Sequence, residues 1–501
     1  MSKSACTVGI RAWRAVATLA GLLLTGCAEA QTKGMQGPNV LLVTLDTTRA
    51  DRLGCYGNER IATPNLDRLA AEGVVYDRAF TPIPSTLPSH CSILTGMYPA
   101  RHGVHDNGVY HLDEALATLP ERMHAAGYRT AAFISAFVLD RQFGLDQGFD
   151  LYDDRVSDPL VQADPRGLAR DTAIPEGQRR WVVQQALPYQ RRADAVTAPA
   201  ITWIGRQAGR PFFLWVHYFD PHVAYTPPAP WDTRYDPGYR GEMDGTRETF
   251  TRVFKARGYV NVEDVPRADM DHMIALYDGE ISFMDASIGA LFSTIEAQGL
   301  WDDTLVVVVG DHGEGFGEHG QIWEHSGTIF DEAVRVPLIV KPPGRGGGGR
   351  RVAALARTID VAPTVLALAG LPPLPAADGV TLPGLSVGGR DAEPPSEVLL
   401  EALRERQIMP ADWSFLGLRD ERQKLMLLYE KTGEPQPSLF DLVADPAERA
   451  PIAAPRLETL ERLTRRTLNE NTALKQAGRA DAYRDLDALT SEALRSLGYI
   501  K

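Results

Sequence analysis

Residues 303–320 read DTLVVVVGDHGEGFGEHG, and the fold can be worked outward from them. Four consecutive valines, apolar on every side and too few for a helix, describe a strand buried on both faces. Asp311 and His312 leave that strand together, and Gly313, Gly315, Gly317 and Gly320 let the backbone turn closely around a ligand. A carboxylate beside an imidazole suits zinc, and also manganese or calcium where further oxygen ligands are present. Taken alone, the pair reads more readily as a turn cap next to a packed histidine.

Further runs of the same character are NVLLVTLD (39–46), RTAAFIS (129–135), PFFLWVHYF (211–219) and VPLIVK (336–341). Amphipathic helices separate them: TPNLDRLAAEG (63–73), TLPERMHAAG (118–127), RADAVTAPAITWIGRQAG (192–209) and a long one over 269–299. This alternation predicts parallel strands in a doubly wound α/β sandwich. Ligands in such folds bind beyond the C-terminal ends of the strands. The polar residues there are Asp46, the group His217, Asp220 and His222, and Asp311 with His312. Two stretches, 155–186 and 226–265, interrupt the alternation and read as surface insertions overhanging the site. PPGRGGGGRR (342–351) reads as a flexible crossover loop. From about Glu397 the segments shorten, predicting a small antiparallel sheet and then a helix over 455–476. The domain plan is thus a catalytic domain over 38–395 and a C-terminal subdomain over 396–501.

The net charge of −13 leaves no basic excess to neutralise a nucleic-acid backbone, so a polymer of that kind is not expected as a partner. An anionic substrate has to be held locally, by a metal or a few side chains. Cys55 and Cys91 have no CxxC partner, so neither a disulfide framework nor a cysteine zinc site is expected. At the N-terminus, Lys3, Arg11 and Arg14 precede AVATLAGLLLTGC (15–27), too short to span a bilayer as a mature helix. Its end, Leu24-Thr25-Gly26-Cys27, resembles the lipobox of bacterial lipoproteins. That implies a signal peptide over 1–27 cut before Cys27, a lipid on Cys27, and a tether over 28–37. The protein is then expected in the bacterial cell envelope, lipid-anchored on the periplasmic side of the outer membrane, or else secreted.

Several segments occur in one order: NVLLVTLDTTRADRLGCYG, TPNLDRLAAEGVVYDRAFT, TLPSHCSILTGMYPARHGV, LWVHYFDPHVAYTPP, YDGEISFMD, VVGDHGEGFGEHG, RVPLIV and LFDLVADPAE. Together they resemble the sulfatase family of the alkaline-phosphatase superfamily over about residues 38–445. The resemblance implies an alkaline-phosphatase-like sandwich with a large, mostly parallel central sheet and a small C-terminal antiparallel sheet plus helix. In that family the nucleophile lies in Cys/Ser-x-Pro-Ser-Arg. Counting back from Leu94-Thr95-Gly96 places Thr86 on the nucleophile and His90 on the arginine. Threonine cannot become the formylglycine of sulfatases, so no formylglycine is expected. The motif Thr-x-Pro-x-His resembles that of nucleotide pyrophosphatase/phosphodiesterases.

What the resemblance implies for the site is one divalent cation (zinc, manganese or calcium) held by Asp46, Thr86, Asp311 and His312. Thr47 stands where the family has a second acidic residue, so the set is one carboxylate short. A second cation is left open, with Asp220, His222 and His319 or His325 as its ligands. Thr86 attacks; a helix starting near Ser89 turns its N-terminus to the anion; Asn107 donates to a non-bridging oxygen; His222 and His325 bind substrate or protonate the leaving oxygen. His90 joins the substrate-binding set. The expected activity is hydrolysis of anionic esters, small-molecule, glycan or lipid, with phosphate mono- or diesters preferred. Sulfate hydrolysis without formylglycine and transfer of a phosphoryl-linked head group are the alternatives. Oligomeric state is not legible in the residues.

Overall fold

The chain divides into two units, Met1–Gly37 and Pro38–Lys501. The computed structural model describes residues 37–156, 190–246, 249 and 262–477, less short interruptions at 109, 208, 321, 345–347, 388–389, 405–412 and 430–433. The signal peptide, Cys27 and nearly all of the tether lie outside the described residues, as do most of the first insertion and part of the second.

Nine strands form the central sheet: β1 (Asn39–Leu45), β2 (Val74–Phe80), β3 (Arg129–Phe133), β4 (Leu151–Asp153), β5 (Phe212–Tyr218), β6 (Thr304–Gly310), β7 (Arg335–Val336), β8 (Leu338–Lys341) and β9 (Arg350–Arg357). Their order is β4-β3-β5-β1-β6-β8-β2-β7, with β9 also beside β2. The block from β4 to β6 is parallel. Alternate residues of its strands enter two separate cores, Val40, Leu42 and Val307 on one face and Leu41, Val43 and Val306 on the other. Each such buried side chain contributes about 1.5–3 kcal/mol, which is why these runs are apolar on every side.

The run at 336–341, expected to be parallel, is antiparallel to both β6 and β2. After β6 the chain folds back beside it through the Asp311–Val334 loops, whereas a parallel neighbour needs a crossover to the sheet's other end. Three of these strands were not anticipated. β4 is only the three residues LYD, too short to show a pattern. β2 (VVYDRAF) carries Asp77 and Arg78, and β9 begins with the exposed Arg350 and Arg351, so neither is an unbroken apolar run. The expected loop at 342–351 thus ends inside β9.

The helices that matter for the site are α1 (Pro64–Glu72), α2 (Thr86–Thr95), α3 (Leu119–Ala125), α4 (Ala193–Ile204), α5 (Arg267–Ala297) and α6 (Val361–Leu368). Thr118 and Glu121 form a reciprocal capping box at the start of α3. The described part of the second insertion lies along α5: Thr226 donates its N–H to Glu280 (2.7 Å), Tyr235 meets Ser282 (2.6 Å), and the Tyr239 ring stacks on His272 (3.7 Å).

A short ribbon pairs β10 (Ser386–Val387) with β11 (Arg390–Asp391). Then β12 (Val398–Arg404), β13 (Trp413–Arg419), β14 (Gln423–Tyr429) and β15 (Gln436–Asp441) make the small antiparallel sheet. Helix α7 (Leu457–Ala477) covers it with Leu460, Leu463 and Leu468. Backbone and side-chain bonds both tie this sheet to the central body. Glu401 donates its N–H to Pro82 O (2.8 Å), and buried Lys424 bridges Asp331 (2.9 Å) and Glu448 (2.8 Å). Among the described residues no helix is long and apolar enough to cross a membrane.

Candidate active site

Leu45 and Gly310 face each other in the parallel β1/β6 register, so the next residue of each strand, Asp46 and Asp311, leaves the sheet side by side. With His312 they place ligand atoms within 4.8 Å of one another. All three are fully buried, and neither oxygen of Asp46 nor Oδ2 of Asp311 accepts a hydrogen bond. Burial, and then the Asp46 charge, push Asp311 well above the usual carboxylate range. Burial also raises Asp46, against the pull of His222, His325 and His90. Two adjacent buried carboxyls with three oxygens lacking donors are costly unless a cation sits between them.

His312 completes the set in the correct protonation state. Its Nδ1–H donates to Gly313 O (3.1 Å), leaving the Nε2 lone pair toward Asp311 (3.5 Å) and Asp46 (3.7 Å). Metal-bound histidines are commonly fixed this way. Burial drives its pKa well below the normal value, so the ring is neutral. The donor set fits one divalent cation.

Thr86 opens α2, and its Oγ1 lies 3.3 Å from His312 Nε2. Ser89 pins the same turn by donating its hydroxyl to Asp311 O (2.8 Å). The helix expected to start near Ser89 therefore starts at Thr86. Past Thr86, its first-turn amides are engaged within the protein: Leu87 N–H goes to Asn107 Oδ1 (2.8 Å), Pro88 has none, and Ser89 N–H goes to Ser85 O (3.0 Å). With Oδ1 so held, the buried Nδ2 of Asn107 has no partner and is a donor beside the Thr86 turn.

His222 and His325 are brought to the same place. The His325 ring stacks on His312 (4.2 Å) and meets His222 edge-on (5.5 Å), while His222 stacks on Phe219 (4.5 Å). His319 is a correction. Its Nδ1 is held by Glu332 (2.8 Å), its Nε2 by Glu448 O (2.9 Å), and its ring stacks on Phe330 (3.6 Å). The set Asp220, His222 and His319 is therefore not assembled, because the loop turns His319 toward the C-terminal sheet. Asp220 sits instead with Glu280, and burial pushes it up to about 7.

His90 is a second correction, since it does not face a substrate. It is fully buried, with Nδ1 2.7 Å from Thr86 O and Nε2 3.0 Å from Thr44 Oγ1. His90, His217 and Asp311 also come within ligand distance of one another, but both His90 nitrogens are already engaged with protein atoms. His217 lies behind Asp46, with Nε2 3.5 Å from Oδ2. Burial lowers both rings to about 3, and they are neutral.

Glu314 escaped sequence reasoning, and so did the backbone conformation of Thr47. Glu314 is fully buried, accepts from Tyr225 OH (3.1 Å), and lies 3.4 Å from His325 Nδ1. Its place two residues after His312 was the available signal. Thr47 has φ 45, a left-handed conformation rare for a β-branched residue. Its N–H donates to Asp311 Oδ1 (3.2 Å) and its carbonyl accepts from Tyr277 OH (2.7 Å), which holds it there.

An α/β sandwich with a large, mostly parallel sheet and a candidate metal-ligand cluster at its strand ends is the architecture of the alkaline-phosphatase superfamily. Within it the chain belongs to the sulfatase family: the Sulfatase family model matches residues 38–371, and that for the N-sulphoglucosamine sulphohydrolase C-terminal region matches 317–473. It is an ester hydrolase of the metal-dependent kind. Over 495 residues it is 26% identical to the multifunctional alkaline phosphatase superfamily protein PehA of Trinickia caryophylli, covering 84% of this chain and 92% of that one. It is also 26% identical over 497 residues to an N-acetylglucosamine-6-O-sulfatase of Bacteroides thetaiotaomicron, covering 86% and 85%. Among solved structures, the phosphonate monoester hydrolase of Agrobacterium radiobacter superposes with a TM-score of 0.66 at 25% identity, covering 88% of this chain and 95% of that one.

Proposed function

We propose that this protein hydrolyses phosphate mono- or diesters with Thr86 as the nucleophile. The observation that carries the reading is a buried threonine hydroxyl, 3.3 Å from His312 Nε2, at a helix start that adjoins Asp46 and Asp311. A divalent cation held by Asp46, Asp311, His312 and Thr86 Oγ1 would supply Lewis acidity. Thr86 Oγ1 gives up its proton to water and bonds to phosphorus as the ester P–O bond breaks. The departing alkoxide takes a proton from His222 or His325. Water then cleaves the threonyl phosphate and releases phosphate or a phosphomonoester. Asn107 Nδ2 donates to a non-bridging oxygen throughout.

The names of the relatives favour a second reading, in which Thr86 attacks a sulfate ester directly. In either case we expect a small-molecule, glycan or lipid ester as substrate and a lipid on Cys27 that holds the enzyme in the cell envelope.

The test is to load the full chain in turn with zinc, manganese and calcium. Nitrophenyl sulfate, a nitrophenyl phosphate monoester and a nitrophenyl phosphate diester are then assayed side by side. Phosphoester turnover that Thr86→Ala abolishes, in protein that still binds the metal, is the expected result. Turnover unaffected by Thr86→Ala overturns the nucleophile, and Thr86-dependent turnover of sulfate alone replaces the first reading with the second.

A further inference from the structure

We infer that His90 is a positioning residue that locks the backbone turn of Thr86, as the last link of a buried hydrogen-bond relay running Trp215–Thr44–His90–Thr86. The inference rests on Thr86 being the nucleophile and goes on to say what holds it.

The relay has only one consistent direction. Trp215 Nε1–H can only donate, and it donates to Thr44 Oγ1 (2.9 Å). The Thr86 carbonyl can only accept, so the proton between it and His90 Nδ1 (2.7 Å) belongs to the imidazole. Thr44 Oγ1 already accepts from Trp215, so its own hydroxyl proton is the one left to place, and His90 Nε2 is the acceptor beside it, 3.0 Å away. Each donor in the chain thus meets one acceptor, and none is left over. Trp215, Thr44 and His90 are 0% exposed and Thr86 1%, so water cannot substitute for any link.

The relay begins in the interior of the central sheet. Trp215 lies on β5 and Thr44 on β1, paired parallel strands in the middle of the sheet. His90 lies one helical turn after Thr86 on α2, so it joins the sheet to the residue that carries the nucleophilic hydroxyl. The Nδ1–H form it must adopt is the less common one for a free imidazole; the Thr86 carbonyl requires it, and the Thr44 hydroxyl supports it by donating to Nε2.

The test has a spectroscopic arm and a kinetic arm. Long-range nitrogen–proton NMR of the full chain is expected to show His90 as a neutral Nδ1–H tautomer. An Nε2–H or doubly protonated ring overturns the relay, whatever the kinetics show. Thr44→Val deletes the hydroxyl at nearly constant volume. It is expected to abolish the single-tautomer signal and lower kcat roughly 10- to 100-fold, as a small displacement of a reacting group does. KM and metal affinity should stay unchanged, and Thr44→Ser should recover most of kcat. An unchanged kcat in Thr44→Val, with Thr86→Ala inactive, overturns the positioning role and leaves the nucleophile standing. Activity surviving in Thr86→Ala removes the nucleophile instead, and the wild-type tautomer then judges the relay alone. If Thr44→Val fails to fold, that same wild-type measurement decides.

Discussion

Asn107 has its Oδ1 committed to the Leu87 amide, and this orients the donor end of the same group. Asn107→Asp keeps the shape and the bond to Leu87 but replaces the donor with a negative oxygen. Its kcat is expected to fall about 10²- to 10³-fold, the usual cost of losing one oriented donor. A loss below tenfold would mean that Nδ2 does not face the reacting oxygens. Which residues were legible follows from the same local geometry. Asp46, Asp311 and His312 follow strand ends, and Thr86 and Asn107 flank a recognisable motif, so sequence alone pointed to them. His90 and His319 have equally suggestive neighbours. Which way a ring faces depends on partners far along the chain, such as Thr44 for one and Glu448 for the other.

At the level of elements, the turn from β6 into the metal-ligand loop is sterically closed. A Cβ on Gly313 would lie 2.0 Å from Glu332 O, and the Gly313 amide already donates to Ala333 O (2.8 Å). Gly313→Ala must therefore push apart the two segments that fix His312. It is expected to cost about 1–3 kcal/mol of stability and to weaken zinc binding in calorimetric titration. A variant matching the parent in both would show that the loop is more compliant than its contacts imply. Strand identity was readable here wherever a run was apolar on both sides. Direction was not, because nothing in VPLIVK distinguishes a strand that returns beside β6 from one that arrives by a crossover. β2 and β9 were hidden by charges that sit toward the sheet's other edge.

For the whole molecule, the join between the two sheets depends on a buried charge cluster. Lys424 is 0% exposed between Asp331 and Glu448, and Arg419 adds a second bond to Asp331 (3.1 Å). Lys424→Met leaves Glu448 without its cation and Asp331 with Arg419 alone, and is expected to cost about 3–5 kcal/mol, read by guanidinium unfolding. Burial alone would raise Asp331, but Lys424 and then Arg419 hold it below its ordinary 3.8. Its contribution is therefore intact above that pH and lost as the pH falls further. Asp331→Asn is accordingly expected to flatten the acid limb of the stability curve below about pH 4, and an unchanged limb would exclude the cluster as its source. The small sheet itself was foreseeable from its short alternating segments. Its attachment was not, since no local pattern in EVLLEAL announces a bond to Pro82.

That attachment also sets an order in time. Glu401 not only bonds Pro82 but lies 2.6 Å from His105, which it follows by 296 positions. At 5–20 residues per second, the loop that flanks the nucleophile waits roughly 15–60 s after synthesis for that partner to emerge. A nascent chain carrying every metal ligand is thus still an unfinished enzyme, and truncation before β12 should yield a product that arrests at that stage.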